Sequence, residues 1–182
     1  DGDLDLYIGS QTSSASVADR LYKNNGNGTF TSLVSSPVAE KGTTTFGSAF
    51  GDINNDGSLD LFVINDNGNS IFTNDGAGNF TKVTPGQELL TLSVVSNIGG
   101  SFVDYDQNGF LDISTGRNGS TIPPYLFQNT LTASSSRNWV EVKLKGTVSN
   151  AAAIGARITV TTTSPARTQI REVSSCTGYG SM

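Results

Sequence analysis

Two short acidic loops hold most of the side chains that could do chemistry. The first reads Asp52-Ile53-Asn54-Asn55-Asp56-Gly57-Ser58-Leu59-Asp60, with side-chain oxygens at loop positions 1, 3, 5 and 9 and glycine at position 6. A hard cation such as calcium takes about 6–8 oxygens, and alternate residues of a tight loop can all point at it. Asp52, Asn54, Asp56 and Asp60 are therefore candidate ligands through their side chains, and Ser58 through its backbone carbonyl. Gly57 permits the sharp turn that returns Asp60 to the same ion. The second loop lies 52 residues further on, Asp104 to Asp112, and offers Asp104, Asp106, Asn108, Asp112 and the carbonyl of Phe110. The chain also opens on Asp1-Gly2-Asp3-Leu4-Asp5, which aligns with Asp56 to Asp60 and makes Asp1, Asp3 and Asp5 the later half of a third loop.

The elements that must position these loops read as strands. Leu59, Leu61 and Val63 alternate with Asp60 and Phe62, and β-branched and aromatic residues are enriched, as in a strand. A helix-loop-helix calcium site would need a helix here and a Glu at position 12, which is Val63 instead. Flanking residues recur as well: Gly47, Phe50 and Leu59 match Gly99, Phe102 and Leu111. A turn follows each of the first two units, Asn25-Gly26-Asn27-Gly28 and Asp75-Gly76-Ala77-Gly78, and Asn-Gly supplies the positive φ that tight hairpins require. One unit is thus strand, loop, strand, polar connection, strand, turn, strand. The fold expected is all-β: about two and a half four-stranded propeller-like blades with calcium loops over residues 1–134, then a small β module over 135–182. Within that scheme Phe30 and Phe80 are blade core, Asn138 to Lys145 is a half-buried strand, and Trp139 is core.

Metal-free Asx-Gly turns are the plain alternative for each loop. Two loops with matched flanks and a half-copy favour the cation, and a shell of carboxylates and carbonyls suits calcium better than magnesium. Hydrolysis by a carboxylate pair is disfavoured, since none of the four Glu lies in a shared motif. There is no His, so His-based triads and His zinc sites are excluded, and no nucleophile motif is present; the chain reads as a non-enzyme. The single Cys176 forbids an internal disulfide and leaves either a small buried residue or a link between subunits. Asn27, Asn79 and Asn118 head N-glycosylation sequons, though the first two fall on the repeated turn and serve turn chemistry equally well.

Residues 1–136 carry a charge balance of −9 and residues 137–182 one of +4, and nine of the 12 Asp lie in the three loops. Such carboxylates repel one another without cations, so folding is expected to depend on metal. Basic residues of the tail alternate along strands, which points to a solvated face and away from nucleic acid. No apolar run reaches the roughly 18 residues of a membrane span. The absence of a signal peptide and of an initiator Met suggests a piece of a processed or longer chain.

The stretches Gly47 to Asn65, Gly99 to Asp112 and Leu21 to Phe30 resemble the FG-GAP/VCBS-type repeats of integrin-α-like β-propellers. Residues 138–160 and 169–181 look like a UnbV/ASPIC domain. The resemblance implies a calcium-stabilised propeller, usually of about seven blades, located outside the cell or on its surface and acting in adhesion or interaction with a protein or glycan. Two and a half units cannot close a ring, which needs at least about four blades. Either the chain is a fragment, or its open edges are completed by other copies, which allows self-association into an extracellular oligomer or filament.

Overall fold

A computed structural model describes residues 3–84, 98–116, 123–132, 138–148, 150–164 and 166–175. These residues contain strands and no helix. The strands are β1 (Leu6–Ile8), β2 (Arg20–Asn24), β3 (Phe30–Ser32), β4 (Thr45–Gly51), β5 (Asp60–Asn65), β6 (Ser70–Asn74), β7 (Phe80–Lys82), β8 (Gly99–Val103), β9 (Asp112–Gly116), β10 (Tyr125–Phe127), β11 (Arg157–Thr163) and β12 (Ala166–Glu172). They form four antiparallel sheets in the orders β1-β2-β3, β4-β5-β6-β7, β8-β9-β10 and β11-β12.

The repeat read from the sequence is visible strand by strand. β5 pairs with β6 through Leu61↔Phe72, and β1 pairs with β2 through the equivalent Leu6↔Tyr22. The hairpins β2–β3 and β6–β7 turn through Gly26 and Gly28 in one and Gly76 and Gly78 in the other, all at positive φ. The middle sheet has four strands and its neighbours three each.

The three repeat sheets stack face to face. Tyr7, Leu21 and Val38 from the first unit and its following loop close over Leu61, Val63, Phe72 and Phe80 of the second. The opposite face of the second sheet, with Phe62, Ile64 and Ile71, packs on Ile113, joined by Phe102 and Phe127 of the third. Hence β5 is buried along its whole length, and its apolar run is continuous at Leu61 to Ile64. The second and third sheets approach closely at Gly51, where a Cβ would lie 2.6 Å from the Phe102 ring.

Four expectations are corrected. Phe80 is core, but its repeat partner Phe30 is 48 % exposed, because nothing among the described residues covers that face of the first sheet. Residues 138–145 form no strand; the alternating pattern has no ladder partner among the described residues, and Val140 and Val142 are exposed. Trp139 is 51 % exposed and outside the core, its indole lying against Gly109, where any Cβ would collide with it. The tail is only partly the solvated face expected, since Arg167 donates to the Asp56 carbonyl of the first acidic loop.

Candidate metal centre

Both complete loops adopt the same backbone. Position 4 is left-handed in each, Asn55 at φ 53° and Gln107 at 59°, and position 6 follows with Gly57 at 93° and Gly109 at 87°. That pair of positive φ values curls the chain so that the aspartate at position 1 accepts from amides further on. Asp52 accepts from the N–H of Asp56 at 3.0 Å and of Gly57 at 2.9 Å. Asp104 accepts from Asn108 at 3.1 Å and Gly109 at 2.9 Å. Positions 3 and 5 exchange residue types but keep their bond. Asn54 donates its side-chain amide to Asp56 at 2.9 Å, and Asn108 donates to Asp106 at 3.0 Å.

Position 9 anchors the loop to its own sheet. Asp60 accepts from the Ile53 N–H at 2.9 Å and the Asn74 N–H at 2.8 Å. Asp112 does the same with Tyr105 at 3.2 Å and Asn129 at 2.7 Å. In the first unit Asp5 accepts from the Asn24 N–H at 2.9 Å. Each of these asparagines also donates its side chain to the residue before the aspartate: Asn24 to Leu4, Asn74 to Leu59 and Asn129 to Leu111. Sequence reasoning passed over this asparagine, although an aromatic-x-Asn signal marks it each time: Tyr22-Lys23-Asn24, Phe72-Thr73-Asn74 and Phe127-Gln128-Asn129. Adjacent units are tied together here, since Asn129 donates to the Ile53 carbonyl at 2.8 Å and Asn55 donates to the Gly109 carbonyl at 2.8 Å.

In the second loop Asp104, Asp106 and Asp112 bring carboxylate oxygens within 4.8 Å of one another. Calcium holds oxygens at about 2.3–2.6 Å, so one ion could touch all three. Phe110 and Ser58, the position 7 residues, are both buried. In the first loop burial pushes the Asp52 carboxyl above its ordinary value, and the charge of Asp56 adds to this against the Gly57 N–H. Burial likewise pushes Asp60 up to about 7, against the N–H groups of Asn74 and Ile53 and helped by the charges of Asp56 and Asp52. Carboxylates held charged in such a place gain from a cation.

The remaining candidates fall elsewhere. Asp3 and Asp5 lie in the first unit, and Asp1 lies outside the described residues. Asn27 and Asn79 are exposed on the two hairpin turns. Asn27 accepts from Thr29, and Asn79 donates to Asp75 at 2.8 Å. Asn118 and Cys176 lie outside the described residues.

A buried polar cluster between the first two sheets was not foreseen. The Tyr7 hydroxyl donates to Asp19 at 2.6 Å, and the Thr45 hydroxyl lies 2.8 Å from both Asp19 and Asn65. Burial and then this bond push the Tyr7 phenol above its ordinary pKa. The cluster fixes the two polar connections of the first unit, which bridge at Gln11↔Thr44 and Ala18↔Lys41.

The loops, their flanks and the stacked sheets recur at intervals of 50 to 55 residues, and the FG-GAP-like repeat family matches twice, over residues 1–63 and 52–114. The chain belongs to that family. The two matches share residues 52–63, the first loop and the start of β5, so that stretch serves as the end of one repeat and the start of the next. The fit is to a β-propeller-like FG-GAP architecture, and the family match stops at residue 114, with nothing that extends it into a UnbV/ASPIC domain. No curated protein matches the chain. Among the described residues no helix is long and apolar enough to cross a membrane.

Proposed function

We propose that this FG-GAP-like chain is a non-enzymatic, calcium-stabilised scaffold that works outside the cell or at its surface, in adhesion or interaction. The observation that carries the reading is the convergence of Asp104, Asp106 and Asp112, with the same backbone loop one repeat earlier. Asp104, Asp106, Asn108, Asp112 and the Phe110 carbonyl would hold one ion; Asp52, Asn54, Asp56, Asp60 and the Ser58 carbonyl would hold another. Calcium would neutralise the carboxylates and lock each loop against the neighbouring sheet. Sites of this kind with millimolar-range affinity suit the extracellular calcium level. Recognition of a protein or glycan would then fall to the polar connections 9–19, 35–45 and 117–124, the last lying mostly outside the described residues, and the first two presented at the far end of β5 from the acidic loops. Residues 135–182 are read as a separate β module of UnbV/ASPIC type, and β11–β12 supplies its hairpin.

The experiment is a calcium titration of the metal-free chain by calorimetry, repeated on Asp104→Ala. Two binding events in the parent and one in the variant are expected. No heat in either chain would overturn the reading.

A second reading, a structural subunit of an extracellular homo-oligomer or filament, is favoured by one observation. β1 pairs only with β2 among the described residues, so its other edge offers unpaired backbone groups to another chain. Concentration-dependent sedimentation would support it, and a single monomeric species at high concentration would remove it.

A further inference from the structure

The C-terminal part of the chain meets both acidic loops at the same place, the glycine of position 6. A Cβ on Gly57 would lie 3.0 Å from Arg167 Nη1 and 3.1 Å from Gln169 Nε2. A Cβ on Gly109 would run into the Trp139 indole. The two contacts differ in charge. Trp139 brings an uncharged ring to the second loop, whereas β12 brings two guanidinium groups to the first. Arg167 donates to the Asp56 carbonyl, and Arg171 lies 4.0 Å from the Asp52 carboxylate.

These side chains belong to one face of a hairpin. Residues directly opposite in an antiparallel pair point to the same side. The register sets Thr162 opposite Arg167, Val160 opposite Gln169 and Ile158 opposite Arg171. Along β11 that side is the covered one: Ile158 and Val160 are half-buried, while Arg157, Thr159 and Thr161 are exposed. A two-stranded hairpin by itself is marginally stable in water. Among the described residues β11 and β12 pair only with each other, so the surface under this face helps to hold the hairpin together.

A calcium ion bound through Asp52 and Asp56 would share their field with two guanidinium groups already beside them. Coupling between two occupants of one place is reciprocal. Whatever factor the docked hairpin takes from calcium affinity, calcium takes from hairpin docking. We infer that β11–β12 is a cationic latch on the first acidic loop, in competition with calcium. The ion loosens the hairpin, and the docked hairpin lowers the affinity of that loop and leaves the second loop alone. The inference rests on the cation reading of the loops and states how one of the two sites is regulated.

The test is hydrogen exchange, read by mass spectrometry on the full chain at low salt with and without saturating calcium, beside calorimetry on the same samples. Calcium should slow exchange in residues 52–65, which it would hold, and speed it in residues 157–163 and 166–172 by on the order of fivefold. The double variant Arg167→Gln, Arg171→Gln should bind calcium at the first loop about fivefold more tightly, measured in an Asp106→Ala background. Its hairpin should exchange at a rate that calcium no longer changes. Glutamine can still donate to the Asp56 carbonyl, so the variant removes charge above all. The corresponding pair of lysine substitutions keeps both charges and should keep the calcium response of the parent. Hairpin exchange that slows with calcium, or a glutamine pair with the affinity of the parent, would overturn the inference while two calorimetric binding events left the cation reading intact. No binding heat in any of these chains would remove the cation reading, and the latch with it.

Discussion

The acidic loops 52–60 and 104–112 share φ values, hydrogen bonds and cross-links, yet they sit in different electrostatic settings. In the first, position 2 is Ile53, fully buried between two sheets; in the second it is Tyr105, which is exposed. The first loop carries Asp52 and Asp60 with carboxyls raised by burial, and has Arg171 on its flank 4.0 Å from Asp52. The second opens to solvent, brings Asp104, Asp106 and Asp112 together, and has the Gln128 amide donating to Asp106 at 2.9 Å. One backbone can therefore carry two cation sites of unequal character. The loop between sheets is limited by desolvation of its charges, and the loop at the end of the stack by their mutual repulsion.

The largest expected effect lies at position 9. Asp60→Ala leaves the buried Ile53 N–H and the part-buried Asn74 N–H without their acceptor, which costs about 3 kcal/mol even without metal. Asp112→Ala likewise strands the buried Asn129 N–H along with the part-buried Tyr105 N–H, and should cost less in metal-free buffer only because Tyr105 is exposed where Ile53 is fully buried. Urea unfolding of both variants checks the order; equal losses would mean that burial is not what separates the loops.

Next come positions 3 and 5, where the loops exchange charge and amide. Asp56→Ala should weaken calcium binding at the first loop by on the order of tenfold, and Asp106→Ala should do the same at the second, since each removes a charged ligand. Asn54→Ala and Asn108→Ala should weaken it less. Asp56, Asp106 and Asn108 are exposed and Asn54 is half-buried, so metal-free melting temperatures should change little. Calorimetry on the four variants tests the crossed pattern, and a uniform loss would break it.

A smaller effect is expected from pH. The folded carboxyl of Asp60 lies near 7, above its unfolded value of about 3.9. The folded metal-free chain therefore holds a proton that the unfolded chain releases between those two values. This stabilisation is complete below about pH 4 and is lost as pH rises through 7. Calcium needs the ionised form, so the rise in melting temperature that it produces should be greater at pH 8 than at pH 5. A calcium shift independent of pH would show that Asp60 does not couple to the ion.

Much of this arrangement is legible before any coordinates. The ligand spacing, the glycine at position 6 and the return of both after 52 residues are local, and a local backbone needs only local residues to specify it. The strands β4 to β7 follow from alternation and from turn residues for the same reason. What stayed hidden depends on partners far along the chain. Phe30 and Phe80 look alike in sequence, but one is covered by the unit before it and the other is not. The stretch 138–145 alternates like a strand, yet no strand among the described residues pairs with it. Asn74 hides among turn residues, although the aromatic-x-Asn pattern recurs in all three units. The contact of Arg167 with the first loop joins residues 111 positions apart, a distance at which no periodicity speaks.

The last difference between the loops is that contact. β12 places Arg167, Gln169 and Arg171 on one side, and the Gly57 turn lies against Arg167 and Gln169. Arg171 is 4.0 Å from Asp52, and burial lowers its pKa while the Asp52 charge raises it. Its side chain is partly exposed, so the pair is worth less than about 1 kcal/mol. It nevertheless places a positive charge beside a proposed calcium ligand, where it opposes the incoming ion. Arg171→Gln should therefore raise calcium affinity at the first loop by about twofold to threefold at low salt. The gain should fade near 1 M salt, where the screening length shrinks to about 3 Å. Calorimetry in an Asp106→Ala background, with the second loop weakened, isolates the effect. An unchanged affinity at low salt would mean that the hairpin touches the loop without being felt by its ion, and the two loops would then differ through burial alone.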